Sequence, residues 1–249
     1  MSPDDLAQKV FRGSIFHYLT KVITNVFNFL IIIYVIRKLK VEEYGLYNFL
    51  LSIILLAQII TSFGLAPIIQ RYLPEFKEKR NNYFQKKLIL LAMLVRFIVG
   101  FVFVLILLGC NKWIIKAFNL PEIFELISYL MFLIILFVLE SQLLGDAALI
   151  SLFENKYWGI SKCIYSILKF SLFFLALNLG YGILGIVWAW LVVEGLLFIL
   201  FFKKIWKVVF SLPVKEEEVY PLSLKRFLKF GLPLWFQNCL LYTSPSPRD

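Results

Sequence analysis

An all-α polytopic membrane protein is the fold class that this sequence predicts: a six-helix transmembrane lobe followed by the start of a seventh helix. Three observations predict it. Six apolar runs each have the ~17–25 residues that a helix needs to cross the hydrocarbon core of a bilayer. Hydrophobic residues make up 61% of the 249-residue chain, and the mean hydropathy is +0.82, more apolar surface than a water-exposed fold of this size can hide. The basic residues collect in alternate loops between the runs, the pattern of a multi-span protein with one cytoplasmic side.

The first run, Ser14–Ile36, carries a polar stripe of Ser14, His17, Lys21, Asn25 and Asn28, with Thr20 and Thr24 beside it. Spacings of three and four put these on one helical face, which is unsuited to lipid and faces a cavity or another helix. The second run, Gly45–Ala66, holds no charge. The third, Leu88–Cys110, holds Arg96, with Gly100 one turn on as a point of close approach. The fourth, Ile123–Leu144, carries Glu140 toward its cytoplasmic end. The fifth, Cys163–Leu179, continues a polar face from Lys162 through Ser166 to Lys169. The sixth, Gly182–Phe202, has Glu194 near its middle, on one face with Trp190. Gly180-Tyr181-Gly182 joins the last two as a tight hairpin, because glycine tolerates positive φ.

With the N-terminus cytoplasmic, seventeen Lys and Arg fall in inner segments and five (Arg37, Lys38, Lys40, Lys112, Lys116) in outer ones. The positive-inside rule selects that orientation. The inner loop Pro67–Lys87, with Tyr72, Phe76, Tyr83 and Phe84 among basic residues, reads as an interfacial helix or helical extension whose lysines face headgroups. Trp113, Trp158 and Trp206 fall near interfaces, where they read as belt residues. The net charge of +10 resides in these loops and points to anionic lipid headgroups, not nucleic acid. The three cysteines form no C-x-x-C pair and support neither a disulfide framework nor a metal site.

The domain organisation read from composition is a lobe over residues 1–202, an inter-lobe linker at 203–226, and the opening of helix seven at 227–238. The linker contains Pro213, Glu216-Glu217-Glu218 and Pro221. The last eleven residues, Cys239–Asp249, match the translation of a transposase-type sequencing adapter and are expected to be an artefact, with the natural protein continuing past Asn238.

Five charges sit deep inside the apolar runs: Lys21, Arg96, Glu140, Lys169 and Glu194. A mid-depth charge costs at least ~2.5 kcal/mol, so it faces a polar interior and marks function by default. Lys21, Arg96 and Lys169 fall at similar depth from the cytoplasmic side, and the reading is one partly dehydrated basic hollow suited to a diphosphate or another anion. Structural ion pairs, Lys21–Glu140 or Arg96–Glu194, are the alternative for individual members. The lone histidine, His17, reads as a polar-face residue.

Short motifs then point to a family. Glu42-Glu43-Tyr44-Gly45-Leu46-Tyr47, Gly64-Leu65-Ala66-Pro67, Arg71-Tyr72-Leu73-Pro74-Glu75 and Phe153-Glu154-Asn155-Lys156-Tyr157 resemble, in order and spacing, segments of oligosaccharide flippases. These form the polysaccharide-transport branch of the multidrug/oligosaccharidyl-lipid/polysaccharide exporter superfamily. The resemblance implies two six-helix lobes around a central cavity, of which this chain holds the first. It further implies export of a polyprenyl-diphosphate-linked oligosaccharide across the cytoplasmic membrane by alternating access. In that reading Lys21, Arg96 and Lys169 hold the diphosphate, and Thr24, Asn25 and Asn28 offer hydrogen bonds to sugar. Glu140 and Glu194 balance charge or couple transport to an ion. Membrane lipids, a polysaccharide polymerase and glycosyltransferases are the expected partners; no metal or cofactor is expected, and no P-loop supports ATP hydrolysis. The alternatives are a multidrug or cation antiporter of the same superfamily, a membrane glycosyltransferase or polymer ligase, and an assembly scaffold.

Overall fold

The computed structural model describes residues 3–121, 123–213, 231 and 233–235, with the backbone alone over 3–14. Eight α-helices follow in order: α1 (Pro3–Lys38), α2 (Val41–Thr61), α3 (Leu65–Glu78), α4 (Asn82–Gly109), α5 (Asn111–Phe118), α6 (Ile123–Gln142), α7 (Asn155–Asn178) and α8 (Gly182–Ile205). Two continue as π-helix, α6 through Leu143–Leu149 and α8 through Trp206–Phe210. Among the described residues, six stretches are long and apolar enough to span a bilayer: Ile15–Lys38, Val41–Thr61, Asn82–Gly109, Ile123–Leu149, Asn155–Asn178 and Gly182–Phe210. The chain is an all-α, multi-pass membrane protein.

The helix ends follow local chemistry. The α2 N-terminus starts before Gly45 because the Glu43 carboxylate accepts the Lys40 backbone N–H at 3.3 Å; the same carboxylate accepts the Ile183 backbone N–H at 3.4 Å. Glu43 thus tethers the starts of α2 and α8, where a helix dipole favours negative charge. The α2 helix stops at Thr61 because Phe63 and Gly64 turn the chain with φ of 39° and 67°. The α4 helix begins at Asn82, earlier than the apolar run, because the Asn81 side chain accepts the Phe84 N–H at 3.0 Å as an N-cap. The aromatic and basic residues before Leu88 are therefore part of the spanning helix, and α3 alone is the separate helix of that loop. The hairpin glycines take φ of 81° at Gly180 and 53° at Gly182.

Two basic residues of the inner loops do not simply face headgroups. Lys77 donates to the Leu152 carbonyl at 2.6 Å and Lys86 to the Leu212 carbonyl at 2.7 Å, each at the carbonyl end of a helical segment. The sixth span runs on to Phe210, so the first residues assigned to the linker are helical. Linker residues 214–226 and tail residues 239–249 lie outside the described residues, as does helix seven apart from Gly231 and 233–235, which are helical. Trp235 donates to the Ile59 carbonyl at 3.1 Å and stacks on Phe63.

Packing forms a row, α1 against α7, α7 against α8, α8 against α6 and α6 against α4, with α2 crossing α4, α6 and α8. The buried apolar residues divide into two clusters. One joins α2 to the C-terminal halves of α1 and α7, to α6 and to the N-terminal half of α8, through residues such as Val35, Leu50, Ile134, Phe173 and Val187. The other joins α3, the start of α4, the π segment after α6 and the C-terminal end of α8, through residues such as Leu73, Ile89, Leu144 and Phe201. Between them runs a waist of buried polar residues: Arg96, Glu140, Ser141, Ser166 and Glu194.

Candidate functional site

Along the middle of α1 and the N-terminal half of α7 an open hollow of about 490 Å³ mixes polar and apolar walls. The α1 helix contributes His17, Lys21, Thr24 and Asn28, positions that share a helical face. The α7 helix contributes Trp158, Lys162, Tyr165 and Ser166 from the opposite wall. Gln70 of α3 and Asp146 of the π segment close it. The two walls approach closely because Gly159 of α7 has no side chain; a Cβ there would collide with Phe16 and Thr20 of α1.

Asp146 organises the α7 wall. Its carboxylate accepts the Trp158 indole N–H at 2.7 Å and pairs with the Lys162 ammonium at 3.2 Å. His17 stacks on Trp158 with ring centroids 4.6 Å apart. Trp158 is therefore no interfacial belt residue: it is 5% exposed and holds a carboxylate. Trp113 and Trp206 are exposed, as belt residues are. Asp146 escaped the sequence reading because the apolar run ended at Leu144. The signal that could have found it is Gly145-Asp146-Ala147-Ala148, a charge flanked by small and apolar residues that read as continued helix.

A second network lies one layer behind. Tyr165, which lines the hollow, donates its hydroxyl to Glu194 at 2.5 Å, and Trp190 donates to the same oxygen at 3.0 Å. Lys169 donates to the Tyr165 oxygen at 3.1 Å, and its ammonium sits 4.4 Å from the Trp190 ring centroid. Lys169 thus reaches the hollow only through Tyr165, held by an aromatic wall and a carboxylate. Trp190 and Glu194 share a face, and that face is spent on this internal network.

The three expected cations do not meet around one space. Lys21 lines the hollow and Lys169 stands behind it, whereas Arg96 sits on the far side, between α4 and α6. Arg96 is 5% exposed and donates to the Gln142 carbonyl oxygen at 3.1 Å, with its Nε unpartnered. Glu140 lies near enough to attract it, yet both Glu140 oxygens lack hydrogen bonds. Neither ion pair foreseen as an alternative forms: Glu140 faces Arg96, and Glu194 faces Tyr165 and Trp190. The basic partner of Lys21 across the hollow is Lys162, the residue that opens the polar face of α7. Of the expected sugar-binding residues, Thr24 and Asn28 line the hollow, and Asn25 stands exposed beside it without lining it. The Thr24 hydroxyl donates to the Lys21 carbonyl, which leaves its oxygen as an acceptor.

With this geometry in hand, the chain can be set beside known proteins. A family model described as polysaccharide biosynthesis protein matches residues 10–244. The chain belongs to that family. No curated protein matches it. Among solved structures it is similar to the outward-facing conformation of a multidrug resistance MATE family transporter of the MOP superfamily, with a TM-score of 0.69 and 17% identity. That similarity covers 94% of this chain and 53% of the transporter, so the polysaccharide biosynthesis family member described here spans about half of that structure's length. The likeness is one of fold: six spans arranged as in one half of the transporter.

Proposed function

We propose that this lobe is half of an exporter that carries a polyprenyl-diphosphate-linked oligosaccharide across the cytoplasmic membrane, with the N-terminus inside. The observation that carries the reading is the hollow. Lys21 and Lys162 face it from opposite helices, in a chain whose family is described by polysaccharide biosynthesis. Two ammonium groups flanking a partly dehydrated space suit the two phosphates of a diphosphate. Thr24, Asn28 and Ser166 bring oxygen and amide groups for sugar hydroxyls, and Asn25 stands at the rim. Lys169 and Glu194 act from behind through Tyr165, as charge balance. Arg96 and Glu140 belong to the framework in this reading. Transport then needs a second wall opposite this one and rocking of two lobes about the bound headgroup. Polymerase and glycosyltransferases would act on the two sides of that step.

The MATE fold also accommodates a cation antiporter, and Asp146 in the hollow is the observation in its favour. Lys162 already neutralises that carboxylate, and Lys21 leaves the wall net positive. Reconstitution of the full-length protein with lipid-linked oligosaccharide separates the two. Lys21→Ala and Lys162→Ala should each lower flipping by about tenfold or more, the worth of a charge-assisted hydrogen bond. Undiminished flipping in both variants, or export of lipophilic cations with no flipping, would overturn the reading.

A further inference from the structure

Asp146 stands in the hollow where an anionic ligand would bind, and it already engages one of the cations. Its carboxylate presents two oxygens to Lys162, at 3.2 and 3.3 Å, much as a phosphate would. The pair is open to the hollow: the Asp146 side chain is 42% exposed and that of Lys162 is 20% exposed. Exchange of partners there takes place in contact with water, and the pair is correspondingly weak. Asp146 also has a second donor, the Trp158 indole at 2.7 Å. If Lys162 turned away, the carboxylate would keep a hydrogen bond and part of its exposure to water. Lys162 is the member free to move, and its flexible stem suits that role.

The backbone around Asp146 is unusual in the same place. Seven residues, Leu143–Leu149, form a π-helical stretch, a geometry that is rare and concentrates at functional sites. Gly145 lets α8 pack close against this stretch, because a Cβ there would strike the Phe201 ring. Asp146, the next residue, reaches Trp158 and Lys162 of α7.

Granting that the hollow takes an anionic headgroup, we infer that Asp146 is a resident stand-in for the ligand, a carboxylate that occupies Lys162 until a more highly charged anion displaces it. The consequence is selectivity by charge. A singly charged anion gains little by replacing one carboxylate with another. A diphosphate bridging Lys21 and Lys162 gains a second cation and outcompetes Asp146. Of the other groups near the pair, His17 and Lys21 come from α1, Gln70 from α3 and Tyr165 from α7; Arg96 of α4 is within electrostatic reach of Asp146, and the Phe201 ring of α8 lies 5.8 Å from the Lys162 ammonium. None of them is an anion that could take over the part of Asp146.

The test uses the full-length protein in detergent and two probes, inorganic diphosphate and inorganic phosphate, with affinities read by calorimetry. Asp146→Asn keeps an acceptor for Trp158 and removes the charge. It should bind diphosphate about tenfold more tightly than the wild type, and phosphate by a larger factor, so that the preference between them narrows. In a Lys162→Gln background the same substitution should change little, since the coupling is lost. Asp146→Ser gives the same readout if Asp146→Asn does not fold. Wild-type binding of diphosphate with no gain in either variant would overturn the stand-in role alone. If neither wild type nor variants bind diphosphate, the anionic-headgroup reading falls, and the stand-in role with it.

Discussion

Charge is held in this membrane lobe in two opposite ways, on its two sides. On the α7 side, Asp146 and Lys162 are paired within hydrogen-bonding distance, supported by Trp158 and open to a hollow. On the α4–α6 side, Arg96 and Glu140 are buried and attract each other, but the carboxylate accepts no hydrogen bond. Glu140 instead borders an apolar groove walled by Phe97, Phe137 and Phe198. The first arrangement exchanges partners cheaply, as a binding site must. In the second the two charges attract without closing an ion pair, between groups that are both buried, as in a framework element. Access to water is what separates the two sites.

The largest effect is expected where charge is buried. Arg96→Leu should destabilise the lobe by about 1–3 kcal/mol, because it takes the donor from the Gln142 side-chain oxygen and removes the cation that attracts the buried, unbonded Glu140, and Arg96→Leu with Glu140→Leu should recover part of that loss. Thermal melting in detergent checks this. A single variant that melts like the wild type would show that the two charges are not a framework pair. On the hollow side the expected effect is smaller. Asp146→Asn keeps an acceptor for Trp158 and removes only the partly exposed pairing with Lys162, a loss of about 0–1 kcal/mol. A loss equal to that of Arg96→Leu would erase the contrast between the two sites.

How far the sequence discloses all this depends on whether a feature is local. The spans were legible because length and hydropathy are local properties. The hairpin at Gly180–Gly182 was legible because positive φ asks for glycine. Three of the four family segments lie at helix ends, where Glu43 ties α2 to α8, Gly64 turns the chain into α3, and Glu154 pairs with Lys204 at 3.0 Å; the fourth, Arg71–Glu75, lies inside α3. The polar stripe on α1 was legible by its periodicity, and most of it does line the hollow. What could not be read is which helices face each other. Depth along each helix placed Arg96 level with Lys21 and Lys169, but depth says nothing of rotation about the bundle, and α4 lies at the other end of the row. Lys162 was counted with an inner segment because α7 begins before its apolar run does. Asp146 was missed because the apolar run stops at Leu144, whereas the helix continues as a π stretch through Leu149.

The most direct measurement compares water access at the two sites. In a background whose native cysteines are replaced by serine, Asn28→Cys samples the hollow, and Ala92→Cys samples the buried side of α4, one turn from Arg96. A water-soluble maleimide applied to membrane vesicles should label Asn28→Cys readily and leave Ala92→Cys unmodified until the protein is denatured. Equal labelling at the two positions, or protection of Asn28→Cys, would contradict the assignment of one side to the ligand and the other to the frame.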